Sequence, residues 1–500
     1  MDRIRLLYVT NVIERTGEIP RQRLSFFMLL DNLCHDKQVD VVWAGEDGVQ
    51  HTLPATYHST VDQTREYWQA NAAFEPEPDQ SLPGNVHFTL RYRAQGAEYR
   101  ADNSGLPYCS EADSGIMLAR DIHVMNFGFA TVLEGGQRTV PVSVAVRASK
   151  NAKVTLHWTT DDWKTTHTTP CQFRRNYWDA TAKSNARNPN QYAVQVWGGM
   201  LKVDHAYRLQ YCIACESEGQ LAWDNNFGRN YRINRVPLRV LILNLHCYQE
   251  EDQDAKFLQI ARAIAELDAD VVCLQEVAEL WNDGNGDWAS NSARIINDRL
   301  ASPYHLVTDW SHLGFDQYRE GVAILSRYPL TKSEARYVST SQDPYDIHAR
   351  KVVMAQIKVP HIGLVNVFSV HLSWWENGFE EQFGKLRAWA KAKCSPQVKA
   401  TLLCGDFNVS ACSQGYRLMT VSGEFEDQFL ATALPGDLQH DPRVDDPYWQ
   451  RQLAEDYRID FVLMSSDSTL RAVAGRTVFT QQDYGRVSDH NGYWIAFEPK

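Results

Sequence analysis

The chain has 500 residues, of which 44% are hydrophobic and 11% aromatic, so roughly two to four domains with sizeable buried cores are expected. No run of apolar residues approaches the roughly 18 that a membrane span requires. The net charge of −12 disfavours a protein whose ordinary target is long duplex DNA, because such proteins usually present a basic face to the phosphates.

Acidic residues are concentrated in the second half of the chain. Residues 1–235 hold 25 basic and 26 acidic side chains, which leaves 25 basic and 36 acidic ones for the remainder.

The first residues alternate polar and apolar types as a strand does, without the long apolar stretch of a signal peptide. Most of the ten cysteines, such as Cys273 and Cys404, lie in apolar segments. Cys212 and Cys215 have redox or zinc spacing, but on a strand they face opposite sides. We therefore expect a cytoplasmic protein with reduced cysteines.

Residues 1–235 contain two copies of one sequence pattern. The matched segments are 39–43 with 154–158, 65–68 with 175–178, and 99–108 with 222–231. Both copies consist of short alternating stretches separated by Gly, Asn, Asp and Pro. This arrangement predicts two antiparallel β-sandwiches of roughly 110 to 120 residues, at residues 1–112 and 116–235.

The second copy contains a cluster of aromatic and amide side chains. Indole rings stack on the apolar faces of sugars, while amides and carboxylates hydrogen-bond to the hydroxyls. On these grounds alone, a sandwich core with polar turns is the favoured explanation. However, Asp-Asp-Trp-Lys-Thr at 161–165, with the long motif at 223–233, resembles the family 21 carbohydrate-binding module of starch-binding domains and of glycogen-targeting phosphatase subunits.

The resemblance covers about residues 120–235 and implies binding to an α-glucan such as glycogen or starch. It implies as sugar contacts Trp163, Trp223, Asn225 and Asn226. The first copy departs from the pattern, because Gly48 or Val49 stands in place of the first tryptophan and Arg100 in place of the second. We expect the first copy to be structural rather than sugar-binding.

From Pro237 onward, polar motifs follow apolar runs that are typical of strands, which would bring distant side chains to one rim of a sheet. These motifs are Asn244, Leu274-Gln275-Glu276, His371, Gly405-Asp406-Phe407-Asn408, Arg458-Ile459-Asp460 and Ser488-Asp489-His490. Oxygen ligands at neighbouring strand ends suit Mg²⁺. Taken singly, each motif is more simply explained as a turn, a solvated side chain or a packing residue.

Together and in this order, the motifs resemble the endonuclease/exonuclease/phosphatase superfamily. That superfamily contains deoxyribonuclease I-like nucleases, abasic-site endonucleases, neutral sphingomyelinases and inositol polyphosphate 5-phosphatases. The resemblance spans about residues 238–500 and implies a four-layer α/β/β/α sandwich with two mixed sheets. The expected fold class is therefore a multidomain α+β protein.

The resemblance also implies roles for individual residues. Glu276 would bind Mg²⁺, with Mn²⁺ as an alternative, assisted by Asn244 and Asp489. His490 would act as the base or polarise the phosphate, oriented by Asp460. Asp406 would position the attacking water or bind metal, while Asn408 and His371 would hold the non-bridging oxygens.

Two features depart from known patterns. Some nucleases of the superfamily have an acidic residue two positions after the first asparagine, where this chain has His246. The segment 281–288 spaces oxygen side chains as calcium loops do but has no glutamate at the twelfth position, so we interpret it as a substrate loop.

The leading hypothesis is a phosphoester hydrolase held on an α-glucan, and phosphate on the polymer itself is one candidate substrate. One alternative is a nuclease or sphingomyelinase-like diesterase whose β-repeats contact proteins; nucleic acid is a less favoured substrate because of the acidity. A non-enzymatic alternative is a glucan-binding scaffold with an inactive hydrolase domain.

Overall fold

The computed structural model describes residues 3–15, 19–76, 81–147, 151–176, 192–411, 413–432 and 458–500. The chain divides into two compact units, Met1–Val236 and Pro237–Lys500. Within the described ranges, no helix combines the length and the hydrophobicity that crossing a bilayer would need.

The described part of the first unit is built from β-strands. Its first half contains β1 (Ile4–Glu14), β2 (Arg21–Asp31), β3 (Lys37–Ala44), β4 (Gln50–Pro54), β5 (Thr56–Asp62), β6 (Arg65–Phe74), β7 (Val86–Ala94), β8 (Ala97–Ala101), β9 (Tyr108–Ser110) and β10 (Gly115–Leu118). Its second half contains β11 (Val124–Asn126), β12 (Thr139–Arg147), β13 (Lys153–Thr159), β14 (His167–Pro170), β15 (Gln172–Asn176), β16 (Val194–Lys202), β17 (Arg208–Ser217), β18 (Gln220–Asp224) and β19 (Tyr231–Asn234).

The two halves have the same topology, which confirms the repeat. The first half forms antiparallel sheets β10-β1-β2-β6-β5 and β4-β3-β7-β8, with β9 on β7. The second half forms β11-β12-β16-β15 and β14-β13-β17-β18, with β19 on β17. Each strand from β1 to β9 therefore has a counterpart numbered ten higher. Because β10 pairs with β1, the first half extends to Leu118, beyond the predicted limit at residue 112.

One predicted match within the repeat is wrong. Residues 65–68 open β6, whose counterpart is β16, whereas Arg175 and Asn176 end β15. Residues 177 and 178 of the proposed match lie outside the described residues. The shared Arg-x-Tyr-Trp letters are therefore a local coincidence. The matches at β3 with β13, and at β8 and β9 with β18 and β19, hold in the structure.

Each half buries one hydrophobic cluster between its two sheets. In β3, Val39, Val41 and Trp43 are buried while the residues between them are partly exposed, as the two-residue period of a strand requires. On β17, Cys215 belongs to the cluster of the second half, and Cys212 lies three positions away on the opposite face. The nine cysteines among the described residues are all free.

A third cluster joins the two halves of the first unit. Leu7, Phe27 and Tyr67 on the first half pack with Met125 and Val196 on the second. These residues alternate along their strands with those of the first cluster, so the sheet β10-β1-β2-β6-β5 is covered on both faces.

The second unit combines strands and helices. Its strands are β20 (Leu238–Asn244), β21 (Val271–Leu280), β22 (His305–Gly314), β23 (Tyr318–Ser326), β24 (Leu330–Tyr337), β25 (Lys351–Val359), β26 (Gly363–His371), β27 (Val398–Asp406), β28 (Phe425–Asp427), β29 (Asp460–Ser465), β30 (Leu470–Val478) and β31 (Gly492–Pro499). Its α-helices are α1 (Gln253–Glu266), α2 (Ser292–Asp298), α3 (Phe379–Lys393), α4 (Gln414–Thr420) and α5 (Gln428–Thr432). Short 3₁₀ helices occupy Asn282–Gly284, Trp288–Ser290 and Trp375–Asn377.

The strands of this unit form two six-stranded sheets, β22-β23-β21-β20-β31-β30 and β24-β25-β26-β27-β29-β28. Each sheet contains one parallel pair, β20 with β21 and β26 with β27, among antiparallel neighbours. Helix α1 packs on the first sheet through Phe257, Ile260 and Ile264, as its helical spacing predicts. Helix α3 packs on the second sheet through Phe379 and Phe383.

The two sheets also contact each other directly. The Gln275 Nε2 atom donates a hydrogen bond of 3.0 Å to the Ser369 hydroxyl, and this hydroxyl donates one of 3.0 Å to the Leu274 carbonyl. Gln275 and Leu274 lie on β21, whereas Ser369 lies on β26. The carboxyl ends of the two parallel pairs are thereby held close together.

Candidate active site

Most predicted catalytic residues of the second unit lie at a strand end or in a loop beside one. Glu276 differs from the prediction, because β21 continues past it to Leu280 with a register shift between Leu274 and Val277. The parallel pairing of β20 and β21 brings Asn244 opposite Gln275, next to Glu276. The parallel pairing of β26 and β27 places His371 opposite Asp406, and β29 places Asp460 on the other side of Asp406. Asp489 and His490 lie in the loop before β31.

These strand ends surround one cavity of about 410 Å³. Its lining includes most of the predicted polar residues, namely Glu276, His371, Asp406, Asn408, Asp489 and His490. Asn244 and Asp460 contact this lining from behind, through Glu276 and His490. Residues separated by more than 200 positions thus converge on a single site, as the motif order predicts.

Asn244 connects the two sheets across the floor of the site. Its Nδ2 atom donates to Glu276 Oε1 at 2.8 Å and to Asp406 Oδ2 at 3.1 Å, while its Oδ1 atom accepts from the His246 N–H at 3.1 Å. Its oxygen therefore accepts one backbone hydrogen bond, and its part in metal binding stays a prediction. Asn244 thereby links Glu276 on one sheet to Asp406 on the other through a single amide group.

Asp460 and His490 form a buried pair. The Asp460 Oδ2 atom lies 2.7 Å from His490 Nδ1, and this leaves Nε2 at 3.9 Å from Asp406 and 4.0 Å from Asp489. Burial lowers the pKa of His490, but the Asp460 carboxylate outweighs burial and holds this pKa well above its usual value. The pair thus presents Nε2 to the cavity.

Arg458 fixes the start of the strand that carries Asp460. Its guanidinium is buried in an ion pair with Asp427 and lies over the rings of Phe429 and Phe461. The motif Arg-Ile-Asp therefore combines a packing residue with a site residue.

His371 and Asn408 lie on the opposite side of Asp406 from Asp460. His371 Nε2 is 3.8 Å from Asp406 Oδ2. Burial and the nearby Arg350 charge hold the pKa of His371 well below its usual value, which favours the neutral ring. The Asn408 N–H donates to Asp406 Oδ1 at 2.8 Å, and its amide nitrogen donates to the Leu372 carbonyl at 2.8 Å.

Four residues that line the cavity have left-handed backbone conformations, namely His246, Glu276, Phe315 and Asn408. The φ angle is 48° at Glu276 and 53° at Asn408, a region that side-chain-bearing residues seldom adopt. Such angles cost free energy and persist where the surrounding structure enforces them, which is frequent at functional sites. Here they turn the Glu276 and Asn408 side chains into the cavity.

Sequence reasoning missed several residues of the cavity. Glu320 on β23 is buried, with Oε1 at 3.4 Å from His312 Nε2 and 3.8 Å from the Arg350 guanidinium. His312 and Arg350 also line the cavity. The only available signal was a charged residue just before an apolar run, since Glu320 precedes 322–326 and Arg350 precedes 352–355.

His246 is engaged in a separate polar cluster at the edge of the cavity. Its Nδ1 atom lies 2.8 Å from Glu250 Oε1 and 3.6 Å from Asp489 Oδ1. Burial opposes ionisation of Glu250, but hydrogen bonds from His246 and Lys256 outweigh it and lower the pKa of Glu250 to about 2. His246, which departs from the nuclease pattern, is thus held by Glu250 and lies near Asp489.

The donor atoms of the site suit a divalent cation. Among the described residues, ligand atoms lie within 4.8 Å of one another in the groups Glu276, His371, Asp406; Asp406, Asp460, His490; and His246, Glu250, Asp489. Burial and the Glu320 charge raise the pKa of Glu276 to about 7, and burial and the Asp460 charge raise the pKa of Asp406 to about 7. A cation would offset the repulsion between these carboxylates.

The polar side chains of the 281–288 loop form hydrogen bonds that stabilise turns within the loop. Asp287 caps the following 3₁₀ helix by accepting from the Ala289 N–H, and the Asn282 amide donates to the Gly286 carbonyl. The Trp281 ring contacts the rings of Trp310 and Tyr345.

The predicted sugar contacts lie on the second half of the first unit. Trp223 on β18 is 48% exposed, with its ring 5.2 Å from the ring of His157. Asn225 is exposed. Trp163 is partly exposed, and its Nε1 atom donates to Gln210 at 2.8 Å.

Asn226 is placed differently from its neighbour. It is buried, its Oδ1 atom accepts from the Tyr67 hydroxyl at 2.6 Å, and its Nδ2 atom donates to the Asn230 carbonyl at 3.0 Å. Its amide therefore holds the turn and the contact between the two halves, and the predicted sugar contact is corrected to a structural role.

Comparisons with known families agree with this division of the chain. The model of the Endonuclease/Exonuclease/phosphatase family matches residues 241–490, half of the chain. The model of the Carbohydrate/starch-binding module (family 21) matches residues 131–234. The chain belongs to the endonuclease/exonuclease/phosphatase family and carries a family 21 carbohydrate-binding module ahead of that domain.

Individual relatives match one part of the chain each. The uncharacterized protein YbhP of Escherichia coli (strain K12) is 29% identical over 180 residues, which cover 34% of this chain and 66% of YbhP. Protein phosphatase 1 regulatory subunit 3C of Bos taurus is 27% identical over 136 residues, covering 27% of this chain and 40% of the subunit. A solved family protein from Leptotrichia buccalis C-1013-b aligns with a TM-score of 0.46 and 24% identity, over 52% of this chain and 99% of that one.

Proposed function

We propose that this protein is a Mg²⁺-dependent phosphoester hydrolase that is held on an α-glucan by its second β-repeat. The observation that carries the proposal is the convergence of Glu276, Asp406 and the Asp460–His490 pair on one cavity, from strands of two different sheets. The family 21 match and the exposed Trp223 support the glucan-binding part.

We also propose an arrangement of layers for each unit. The two halves of the first unit are two β-sandwiches, and the second unit is a four-layer α/β/β/α sandwich over residues 238–500. The mixed sheets, with α1 on one and α3 on the other, support this layering. Free cysteines support a reducing, cytoplasmic setting.

The carboxylate of Glu276 would bind the cation, together with Asp406 or Asp489. Asn244 orients Glu276 through its amide nitrogen. Bound Mg²⁺ supplies Lewis-acid stabilisation of the charge that develops on the phosphoryl and leaving oxygens. The donor set of buried carboxylates fits this ion, and Mn²⁺ has the same preference for oxygen ligands.

The protein side chains supply the remaining interactions. Asp460 holds His490 so that Nε2 faces the cavity, where it acts on the attacking water or polarises the phosphate. Asp406 positions the water, because its carboxylate lies between His371 and His490. His371 and the Asn408 amide hold the non-bridging oxygens, and Arg350 adds a fixed positive charge to the same cavity.

The lining of the cavity favours an isolated phosphate group over a nucleic acid strand. Among the described lining residues, Arg350 is the sole arginine, and no lysine is present. Phe315, Ile347 and Trp374 contribute apolar surface to the same lining. A polyanion would require an extended basic track, whereas a phosphate on a neutral sugar requires one cationic contact and a flat apolar surface. We therefore infer that the substrate is phosphate esterified to the glucan.

A substrate panel tests the proposal. Phosphorylated glycogen, sphingomyelin, inositol phosphates and DNA are each incubated with the full chain, with Mg²⁺ and with a chelator. We expect Mg²⁺-dependent release of phosphate from phosphorylated glycogen. Glu276→Ala and His490→Ala should each abolish this release while glycogen co-sedimentation is unchanged. Full activity in either variant would overturn the catalytic assignment, and preferred cleavage of DNA or sphingomyelin would overturn the substrate.

A further inference from the structure

A second cavity lies in the first unit, where its two halves meet. Its volume is about 250 Å³, and residues of both halves and of the connecting segment line it. The residues that bear on its chemistry are Arg5, Tyr67, Asp121, His123, Trp223 and Asn225. The predicted sugar-binding tryptophan therefore belongs to a cleft to which the first repeat also contributes.

The second repeat supplies an exposed aromatic surface to this cleft. Trp223 is 48% exposed and Phe227 is 42% exposed, so neither ring is part of the buried cores. The guanidinium of Arg65, on β6 of the first repeat, lies 4.8 Å from the centre of the Phe227 ring. Exposed aromatic rings held in place by neighbours are the usual platform for the apolar face of a sugar.

The first repeat and the connecting segment supply a polar rim. The Arg5 guanidinium on β1 lies 2.8 Å from Asp121, with side chains 40% and 65% exposed. An ion pair exposed to this degree contributes little to stability. Because both side chains are exposed, their donors and acceptors are accessible to ligand hydroxyls. Asn225, which also lines the cleft, is exposed as well.

The size of the cleft indicates the kind of ligand. Cavities that enclose a whole small molecule usually measure about 300–1,000 Å³. A cleft of about 250 Å³ that is open to solvent instead suits one or two units of a chain that passes across it. An α-glucan has this form, with apolar ring faces and hydroxyl edges.

We propose that the α-glucan crosses this cleft, stacking on Trp223 and hydrogen-bonding to Arg5 and Asp121. The first repeat, which has Arg100 in place of the second tryptophan, then takes part in glucan binding through strand β1 rather than through a site of its own. This inference rests on the proposed glucan binding of the second repeat and adds the first repeat to the binding site.

A matched pair of variants tests the role of Arg5. Arg3 lies just before β1 and Arg5 lies on it, two residues further along. Each forms an exposed ion pair of 2.8 Å with an aspartate, but of the two only Arg5 lines the cleft. Binding of maltoheptaose to the full chain is measured by calorimetry. We expect Arg5→Ala to weaken it roughly 3- to 10-fold, as the loss of one hydrogen bond would. Arg3→Ala should bind as the unaltered protein does.

Further variants separate this inference from the proposed function. Asp121→Asn removes the charge without changing the size of the side chain, and it should also weaken binding. It provides the test if Arg5→Ala fails to fold. Equal affinities for Arg5→Ala, Arg3→Ala and Asp121→Asn, with a loss in Trp223→Ala, would overturn the inference and leave glucan binding with the second repeat. Absence of maltoheptaose and glycogen binding in the unaltered chain would overturn the glucan-binding function itself.

Discussion

At the scale of single residues, the site depends on side chains that position others. Asn244 donates to carboxylates on two sheets, and Asp460 holds His490 by one short hydrogen bond. Neither lines the cavity among the described residues. Their effect on catalysis should therefore be seen in turnover rather than in substrate binding.

Asp460→Asn provides the residue-scale prediction. The amide cannot stabilise a protonated imidazole and allows the ring to adopt the wrong tautomer, so we expect kcat to fall roughly 10²- to 10⁴-fold with little change in KM. Steady-state kinetics on the phosphorylated substrate measure both constants. Asp467→Asn, at another aspartate of the second unit, is the control and should leave them unchanged. A kcat for Asp460→Asn within a factor of two of the control would contradict the assigned role.

The site residues that the sequence could bring together were those beside the ends of apolar runs. Asp406 and Asp460 could be located because a strand end places the adjacent polar residue at the rim of a sheet, whereas Glu276 lies within β21, which continues past the apolar run. Glu320 and Arg350 could not be located, because their burial depends on which strands pair around them. Asn226 was misplaced because φ angles of 51° at Asn226 and 55° at Phe227 change the side-chain directions within the turn, and the sequence does not show this.

At the scale of elements, β27 must approach its neighbours closely to deliver Asp406. Gly405 has a φ angle of 141°, and a Cβ atom there would lie 2.2 Å from the Val370 carbonyl and 2.7 Å from the Gln275 amide. Only glycine allows the strands of both sheets to meet at this point.

Gly405→Ala should therefore lower the free energy of unfolding by about 1–3 kcal/mol from backbone strain, with a further loss from the steric clash. Gly384→Ala is the matched control, because Gly384 lies in helix α3 with no atom near the added Cβ. It should raise the free energy of unfolding by roughly 0.5–1 kcal/mol. Denaturant unfolding of both variants measures the two changes, and equal stabilities would contradict the close approach at β27.

At the scale of the whole molecule, the proposed function combines a catalytic unit with a glucan-binding unit in one chain. Attachment to a polymer raises the local concentration of phosphate groups on that polymer, but it does not affect a small substrate that diffuses freely. The repeat topology could be predicted from matched anchors at β3 and β8, whereas the third cluster that joins the repeats could not, because it forms between their sheets.

Trp223→Ala tests this combination. We expect it to reduce phosphate release from phosphorylated glycogen at low polymer concentration roughly 10-fold or more, because tethering typically multiplies apparent affinity by 10²–10⁴. Hydrolysis of a small phosphorylated maltose should be unchanged. Glu276→Ala serves as the comparison, since it should abolish both reactions. A proportional loss on both substrates in Trp223→Ala would show that the tryptophan supports folding rather than tethering.

The contact between Gln275, Ser369 and the Leu274 carbonyl has a mechanical consequence. Glu276 belongs to one sheet, while Asp406 and His371 belong to the other, so the spacing between the donor atoms changes whenever one sheet slides on the other. Apolar faces alone resist sliding weakly, because dispersion has no direction. The two hydrogen bonds at Ser369 act as a pin that sets the alignment of the sheets. A distant substitution should therefore affect catalysis only if it changes the hydrogen bonds at Ser369 and with them the alignment of the two sheets.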